Sequence, residues 1–374
     1  MPGQNMIPVA RPRLPPARAI MPYLRQIDAN RWYSNHGPLV RLFQSRLATH
    51  WEVEQSEVAL LSNATTALTL ALLASGVPSG MRCLMPSWTF AATAGAVVQA
   101  GLVPHFVDVC PQRWTPHPDE IRALAAHHDI GAIMIVAPFG APVDTAEWER
   151  VQTDTGIPVV IDAAAAFDTM RIERSMALRA CPMVVSLHAT KVFGIGEGGA
   201  LLSRDPAFMD RVRRMAQFGF LGTREAILPG MNAKLSEYAA AVGLAGLDEW
   251  PEARARWCMA QAAYERRLVG VSPSPHANRT WASSTYNVLC PQDSGCVMDA
   301  LARAGVATLQ WWGAGCHAQP AFQACPAEPL PVTCQLARRT IGLPFWQGMT
   351  PADIEVVCAA LMPVCSSVHH LEAV

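Results

Sequence analysis

Lys191 lies in the run Ser186-Leu187-His188-Ala189-Thr190-Lys191-Val192-Phe193-Gly194-Ile195-Gly196-Glu197-Gly198-Gly199, between an apolar stretch and a glycine-rich turn. A lysine enclosed by apolar residues and glycines gives up its proton more readily than a solvated one, and a free amine is what Schiff-base chemistry requires. An ordinary surface lysine is the alternative, since lysine is seldom buried. A second candidate is Asp162, which ends Val159-Val160-Ile161-Asp162 and precedes Ala163-Ala164-Ala165-Ala166-Phe167. A buried carboxylate there could hold a proton on a cofactor's ring nitrogen and keep the ring cationic, and the small neighbours leave room for a ring. As a plain helix N-cap the same aspartate would need no ligand.

A third candidate is Ser62-Asn63-Ala64-Thr65-Thr66, directly after the apolar Val58-Ala59-Leu60-Leu61 and directly before the apolar Ala67-Leu68-Thr69-Leu70-Ala71-Leu72-Leu73. The first N–H groups of a helix have no helical partners and point outward, so a strand, a Ser/Thr-rich turn and a helix start make an anion site. Ser, Thr and Asn are also the preferred capping residues, and a plain cap explains the same residues.

These residues need a scaffold that brings strand ends together, and the pattern supplies one. Short apolar strands at 82–85, 103–108, 132–136, 159–162 and 181–186 alternate with helical stretches at 91–100, 118–126 and 145–155. Such alternation predicts an α/β fold whose large domain has a mostly parallel central sheet covered by helices on both faces. Ligands in sheets of this kind bind at the strand ends. Further on, an arginine-rich helix is expected over 206–217, a small-residue helix over 239–247 and a long exposed helix over 248–267. Composition changes from about residue 270, which predicts a smaller C-terminal α/β domain. The expected division is an N-terminal arm at 1–20, where prolines at 2, 8, 12, 15 and 16 oppose regular structure, a large domain at 21–250 and a small domain at 251–374.

The totals narrow the function. The 374 residues are 51% hydrophobic and 16% charged, with 29 Lys plus Arg against 30 Asp plus Glu. A chain of that length buries a large core, and its charge balance gives no broad field for nucleic acid or an anionic membrane surface. No apolar run reaches the roughly 18 residues of a bilayer span, and Met1-Pro2-Gly3-Gln4-Asn5 does not resemble a signal peptide, so a cytoplasmic protein without a membrane partner is expected. The eleven cysteines form no C-x-x-C pair and no zinc-like spacing with histidine, so free thiols and no metal are expected.

Taken together, the residues resemble the DegT family of pyridoxal-phosphate-dependent sugar aminotransferases, which share the aspartate aminotransferase fold (fold type I). The resemblance rests on Gly37-Pro38-Leu39-Val40 with Phe43, Ser62-Asn63-Ala64-Thr65, Pro86-Ser87-Trp88-Thr89-Phe90, Asp162-Ala163-Ala164, Ser186 to Lys191, Gly196-Glu197-Gly198-Gly199, Asn232 with Ala239-Ala240, and Leu343-Pro344. It implies pyridoxal 5'-phosphate (PLP) as cofactor, Lys191 as its Schiff-base lysine and proton shuttle, and Asp162 as partner of the pyridine nitrogen. Phe90 is implied to stack on the ring, with Trp88 the second choice. Ala64, Thr65 and Ser186 are implied to hold the phosphate. Asn232 is implied to reach the phosphate of a neighbouring subunit's cofactor, making a homodimer with shared sites.

Two departures from the family pattern stand out. The usual Ser-Asn-Gly-Thr reads Ser62-Asn63-Ala64-Thr65, and the glutamine usual three residues after the aspartate is Ala165. The family's dehydratases replace the lysine by histidine, so Lys191 favours transamination, with His188 a supporting residue. The expected reaction moves an amino group from an amino acid such as glutamate to a nucleotide-linked keto sugar, in surface-polysaccharide or secondary-metabolite biosynthesis. A cyclitol or other non-nucleotide ketone as acceptor, or a non-catalytic PLP-binding regulator, are the alternatives. By analogy, loops 220–232 and 310–322 set specificity and offer Arg224, Trp311, Trp312 and His317.

Overall fold

Aliphatic runs bounded by Gly, Pro, Ser and Asp become the buried strands of one sheet, and the amphipathic stretches between them become its covering helices. The structure is a computed structural model that describes residues 6–126, 129–269, 271 and 279–366; Met1 to Asn5 lie outside it. Helices α1 (Ala17–Asn30) and α2 (Pro38–Trp51) precede β1 (Val58–Leu61), α3 (Ala64–Ala74), β2 (Arg82–Pro86), α4 (Ala91–Gln99) and β3 (Val103–Val107). Next come α5 (Pro118–Ala125), β4 (Ile130–Val136), α6 (Thr145–Thr155), β5 (Val159–Asp162), the short α7 (Thr169–Ile172), β6 (Met183–Ser186) and β7 (Gly199–Leu202). Helices α8 (Pro206–Met215), α9 (Glu237–Asp248) and α10 (Trp250–Arg267) lead to β8 (Tyr286–Leu289), α11 (Ser294–Arg303), α12 (Pro331–Arg339), β9 (Thr340–Leu343) and α13 (Pro351–Ser366).

The large sheet has seven strands in the order β1-β7-β6-β5-β4-β2-β3. Strands β3, β2, β4, β5 and β6 run parallel, while β7 is antiparallel to both β6 and β1. Two reversals return β1 to the common direction. The ends of β1, β2, β4, β5 and β6 therefore share one edge, and Asp162 and Ser186 are the last residues of two of them. Every residue of β5, β6 and β7 is buried, as strands covered on both faces require. A second sheet pairs β8 with β9 antiparallel, and one apolar core runs without a break from Leu187 and Phe193 to Tyr286, Phe345 and Leu361.

Three elements differ from the sequence expectation. Helix α1 begins at Ala17, inside the stretch expected to be irregular: Pro16 sits at the N-cap, where a missing N–H is harmless, and Pro22 interrupts only one turn. Upstream, residues 7–9 are stitched to the C-terminal part by Ile7 N–H to Gly305 O (2.8 Å), Ala307 N–H to Ile7 O (3.0 Å) and Phe345 N–H to Val9 O (3.0 Å). Helix α10 is not simply exposed. Trp257, Ala260 and Tyr264 form a buried face, with Trp257 Nε1 donating to Val192 O (3.1 Å) and Tyr264 Oη to Pro344 O (2.7 Å). Helix α12 carries no side-chain cap of its own, and Asp108 supplies one from just beyond β3 by accepting the N–H groups of Val332 and Thr333, each at 2.7 Å.

The entry to α2 is built in the same way. The buried Glu237 accepts Leu39 N–H at 2.8 Å and Val40 N–H at 2.9 Å, joining the start of α9 to the start of α2. A Cβ at Gly37 would lie 2.6 Å from the Glu237 Cδ, so this close approach requires glycine. The small-residue face of α9 is used inside the chain: Gly243 lies against the Phe43 ring of α2 and Gly246 against Phe193. Among the described residues no helix is long and apolar enough to cross a membrane.

Candidate active site

The shared strand edge opens into a cavity of about 670 Å³. Six of the seven residues implied to form the cofactor site line it: Ala64, Thr65, Phe90, Asp162, Ser186 and Lys191. Asn232 does not. It is exposed on the segment after α8, where its side-chain oxygen accepts Lys234 Nζ at 2.6 Å.

Lys191 follows β6 in a tight turn held by Lys191 N–H to His188 O (2.9 Å) and Ala189 N–H to Gly196 O (2.8 Å). Burial pushes its pKa down, because the ammonium loses hydration, and the negative field of Asp162 opposes that shift only in part. Asp162 is 5% exposed. Burial raises its pKa, against hydrogen bonds from Thr93 and the Ala164 backbone and the charge of Lys191. Thr93 Oγ1 donates to Asp162 Oδ2 at 2.8 Å and Ala164 N–H to Oδ1 at 3.1 Å, so both carboxylate oxygens are oriented. Thr89 and Thr93 join hydroxyls at 2.8 Å, one turn apart, and extend this support to the segment that carries Phe90.

At the start of α3, both readings of the sequence hold together. Asn63 is the N-cap, its Oδ1 accepting Thr66 N–H at 2.8 Å and its carbonyl accepting Ala67 N–H at 3.1 Å. That leaves the N–H groups of Ala64 and Thr65 without an intrahelical acceptor at the cavity wall. Gly199, paired with both Leu61 and Ser186, lets the turn approach: a Cβ there would lie 2.6 Å from the Asn63 carbonyl carbon and 2.7 Å from the Ala64 nitrogen. This cradle fits a phosphate, and with Asp162 and Lys191 on the same cavity the residues present fit PLP.

Of the two aromatic candidates, Phe90 is 60% exposed at the cavity, whereas Trp88 is 2% exposed in a core cluster behind it. Trp311 and Trp312 line the cavity, as expected for that loop; Arg224 and His317 do not. His317 instead pairs through Nδ1 with Ser87 Oγ at 2.7 Å, fastening its loop to the end of β2. His188 also faces the cavity, where Thr190 N–H donates to its Nδ1 at 3.2 Å. In the neutral ring that places the proton on Nε2, which faces Glu197 Oε1 at 3.6 Å.

Sequence reasoning did not assign roles to Thr93 and Phe139. Thr93 is four residues from Thr89, a spacing that puts both on one face of a helix start, so the pair was visible in principle. Phe139 stacks on Trp312 with ring centroids 3.9 Å apart and planes at 11°, forming an aromatic wall of the cavity. It lies in a turn after β4 with a positive φ of 53°, which no local signal announces.

Comparison with known proteins gives concordant matches. The family model described as the DegT/DnrJ/EryC1/StrS aminotransferase family matches residues 17–362. "Protein Rv3402c" of Mycobacterium tuberculosis is 32% identical, over 95% of this chain and 89% of its own length. A dTDP-4-amino-4,6-dideoxy-D-glucose transaminase of Shigella dysenteriae is 33% identical over 64% of each chain. The crystal structure of DesI, determined in the presence of its TDP-sugar product, superposes with a TM-score of 0.87 at 31% identity, covering 99% of this chain and 96% of that one.

Proposed function

The chain belongs to the DegT/DnrJ/EryC1/StrS aminotransferase family and is a PLP-dependent aminotransferase; from that premise we propose that it transfers an amino group from an amino acid, glutamate in the first instance, to a nucleotide-linked keto sugar. The observation that carries the proposal is the convergence of Lys191, Asp162 and the uncapped N–H groups of α3 on one cavity. Two similar proteins act on or bind dTDP-linked sugars by their names, which supports the acceptor class.

PLP, when bound, supplies a ring that draws electrons from the carbon bearing the transferred nitrogen. In this assignment the N–H groups of Ala64 and Thr65 and the hydroxyl of Ser186 bind the phosphate. Asp162, oriented by Thr93 and Ala164, would hold a proton at the ring nitrogen, whose positive charge would oppose the upward push of burial on the carboxyl pKa. Phe90 covers one face of the ring. Lys191 would be the residue that holds the cofactor covalently and the base and acid that moves the proton; burial lowers its pKa below the ordinary lysine value, the direction that favours the free amine this role needs. Asn232 completes the phosphate site of a second copy in a homodimer. The enzyme works in the cytoplasm, in the synthesis of a surface polysaccharide or a secondary metabolite.

A panel of nucleotide-linked 4-keto and 3-keto sugars incubated with glutamate tests this through release of 2-oxoglutarate. Release with at least one sugar nucleotide is expected. Release only with free cyclic ketones would move the acceptor to the second reading, a cyclitol or similar ring, which the Phe139–Trp312 wall and the small Ala165 also suit.

A further inference from the structure

The cavity that would receive these substrates is poor in positive charge. Among the described residues that line it, Lys191 is the lone lysine or arginine, and the carboxylates of Asp162 and Glu197 face the same space. A dicarboxylic donor and a nucleoside-diphosphate acceptor are both anions, and desolvating them beside two carboxylates without a counter-charge is unfavourable.

The missing charge stands at the next opening. A small second cavity shares Ala10, Thr190, Lys191 and Ser284 with the first, so the two adjoin at Lys191, and Arg11 and Arg13 line it together with Trp346 and Gln347. Arg11 is held in place: its guanidinium lies over the Trp346 ring at 4.9 Å, and the segment before it is fastened by Phe345 N–H to Val9 O at 3.0 Å. Stacking on an aromatic face occupies the flat side of a guanidinium and leaves its in-plane N–H fork free for a carboxylate or phosphate. Both arginines are exposed, and neither forms an ion pair among the described residues.

We propose that Arg11 and Arg13 form the anion-recognition site of the active-site mouth, binding the oxygens of a substrate carboxylate or phosphate next to Lys191. This rests on the reading above that both substrates are anionic. The N-terminal segment is then a part of the substrate site and not only a strap across the surface.

The test uses the full-length PLP-loaded enzyme and two probes, 2-oxoglutarate and dTDP, each titrated by calorimetry against wild type, Arg11→Gln, Arg13→Gln and Arg11→Lys. The arginine-to-glutamine variants should bind at least one probe about tenfold more weakly, with Arg11→Lys recovering part of the loss, while the PLP absorbance spectrum and thermal midpoint stay at the wild-type values. Weakening confined to 2-oxoglutarate assigns the site to the donor carboxylate, and weakening confined to dTDP assigns it to the acceptor phosphates. Unchanged affinity for both probes in both glutamine variants overturns the proposal. Wild type that binds 2-oxoglutarate but not dTDP overturns the nucleotide-sugar reading alone, with the arginines still tested by the first probe; wild type that binds neither overturns both.

Discussion

Thr93 and Asp162 are bonded at 2.8 Å across two elements, the hydroxyl from the first turn of α4 and the carboxylate from the end of β5. The bond fixes the direction in which Asp162 presents its free lone pairs to the cavity. Thr93→Val keeps the shape and removes the donor, a loss worth about 0.5–1.5 kcal/mol. PLP affinity measured by fluorescence titration should fall by a factor of roughly two to ten; an unchanged affinity would mean that the bond does not orient the carboxylate.

Lys191→Ala should bind PLP without a covalent link. Borohydride treatment followed by peptide mass mapping should find the cofactor on the Lys191 peptide of the wild-type protein and on no peptide of the variant. A reduced adduct on another lysine would refute the assignment.

Asn232 is exposed, bonded to Lys234, and is not among the residues that line the cavity of its own chain. If it serves a second copy, mixing inactive Lys191→Ala subunits with inactive Asn232→Ala subunits should restore activity, since one site in the mixed dimer is intact. Activity no higher than that of either parent would remove the shared-site arrangement.

Ala165 lines the cavity where the family pattern has glutamine. Ala165→Gln should leave PLP affinity within error, because Asp162, Ser186 and the α3 N-terminus are untouched. The acceptor kcat/KM should change by roughly tenfold, the scale of one hydrogen bond. Abolished PLP binding would show that the ring site is arranged differently.

His50 predicts an acid limit to stability. Burial lowers its pKa from the ordinary 6.5 to about 4, and its Nε2 has no partner among the described residues. Between those values the unfolded chain binds a proton that the folded chain does not, so stability falls as pH drops from 6.5 towards 4, by up to about 3 kcal/mol. Thermal midpoints of His50→Leu should lose part of this slope relative to wild type; parallel profiles would assign the acid sensitivity elsewhere.

The strands and most helices were legible because their apolar pattern is strong: α2 and β5 fall where the helical spacing of Leu39, Leu42, Phe43 and Leu47 and the apolar run Val159 to Ile161 put them, although Leu42 itself is exposed. So was the gathering of Lys191, Asp162 and Ala64-Thr65, since each stands at an element end and strand ends share an edge. Helix α1 was hidden by prolines whose helical cost depends on position, and α12 by a cap that comes from Asp108, more than two hundred residues away in sequence. The Phe139–Trp312 wall was hidden for the same reason. Contacts between distant segments leave no local pattern.

Glu237 has a consequence for how the molecule breathes. First-turn amides of a helix normally exchange their hydrogens with solvent quickly, because nothing but water accepts them. Leu39 and Val40 have a buried carboxylate as acceptor instead, at 2.8 and 2.9 Å. Their amides should exchange as slowly as those of a helix middle, and only when α2 and α9 separate, so these two protons report the parting of two helices rather than the fraying of one.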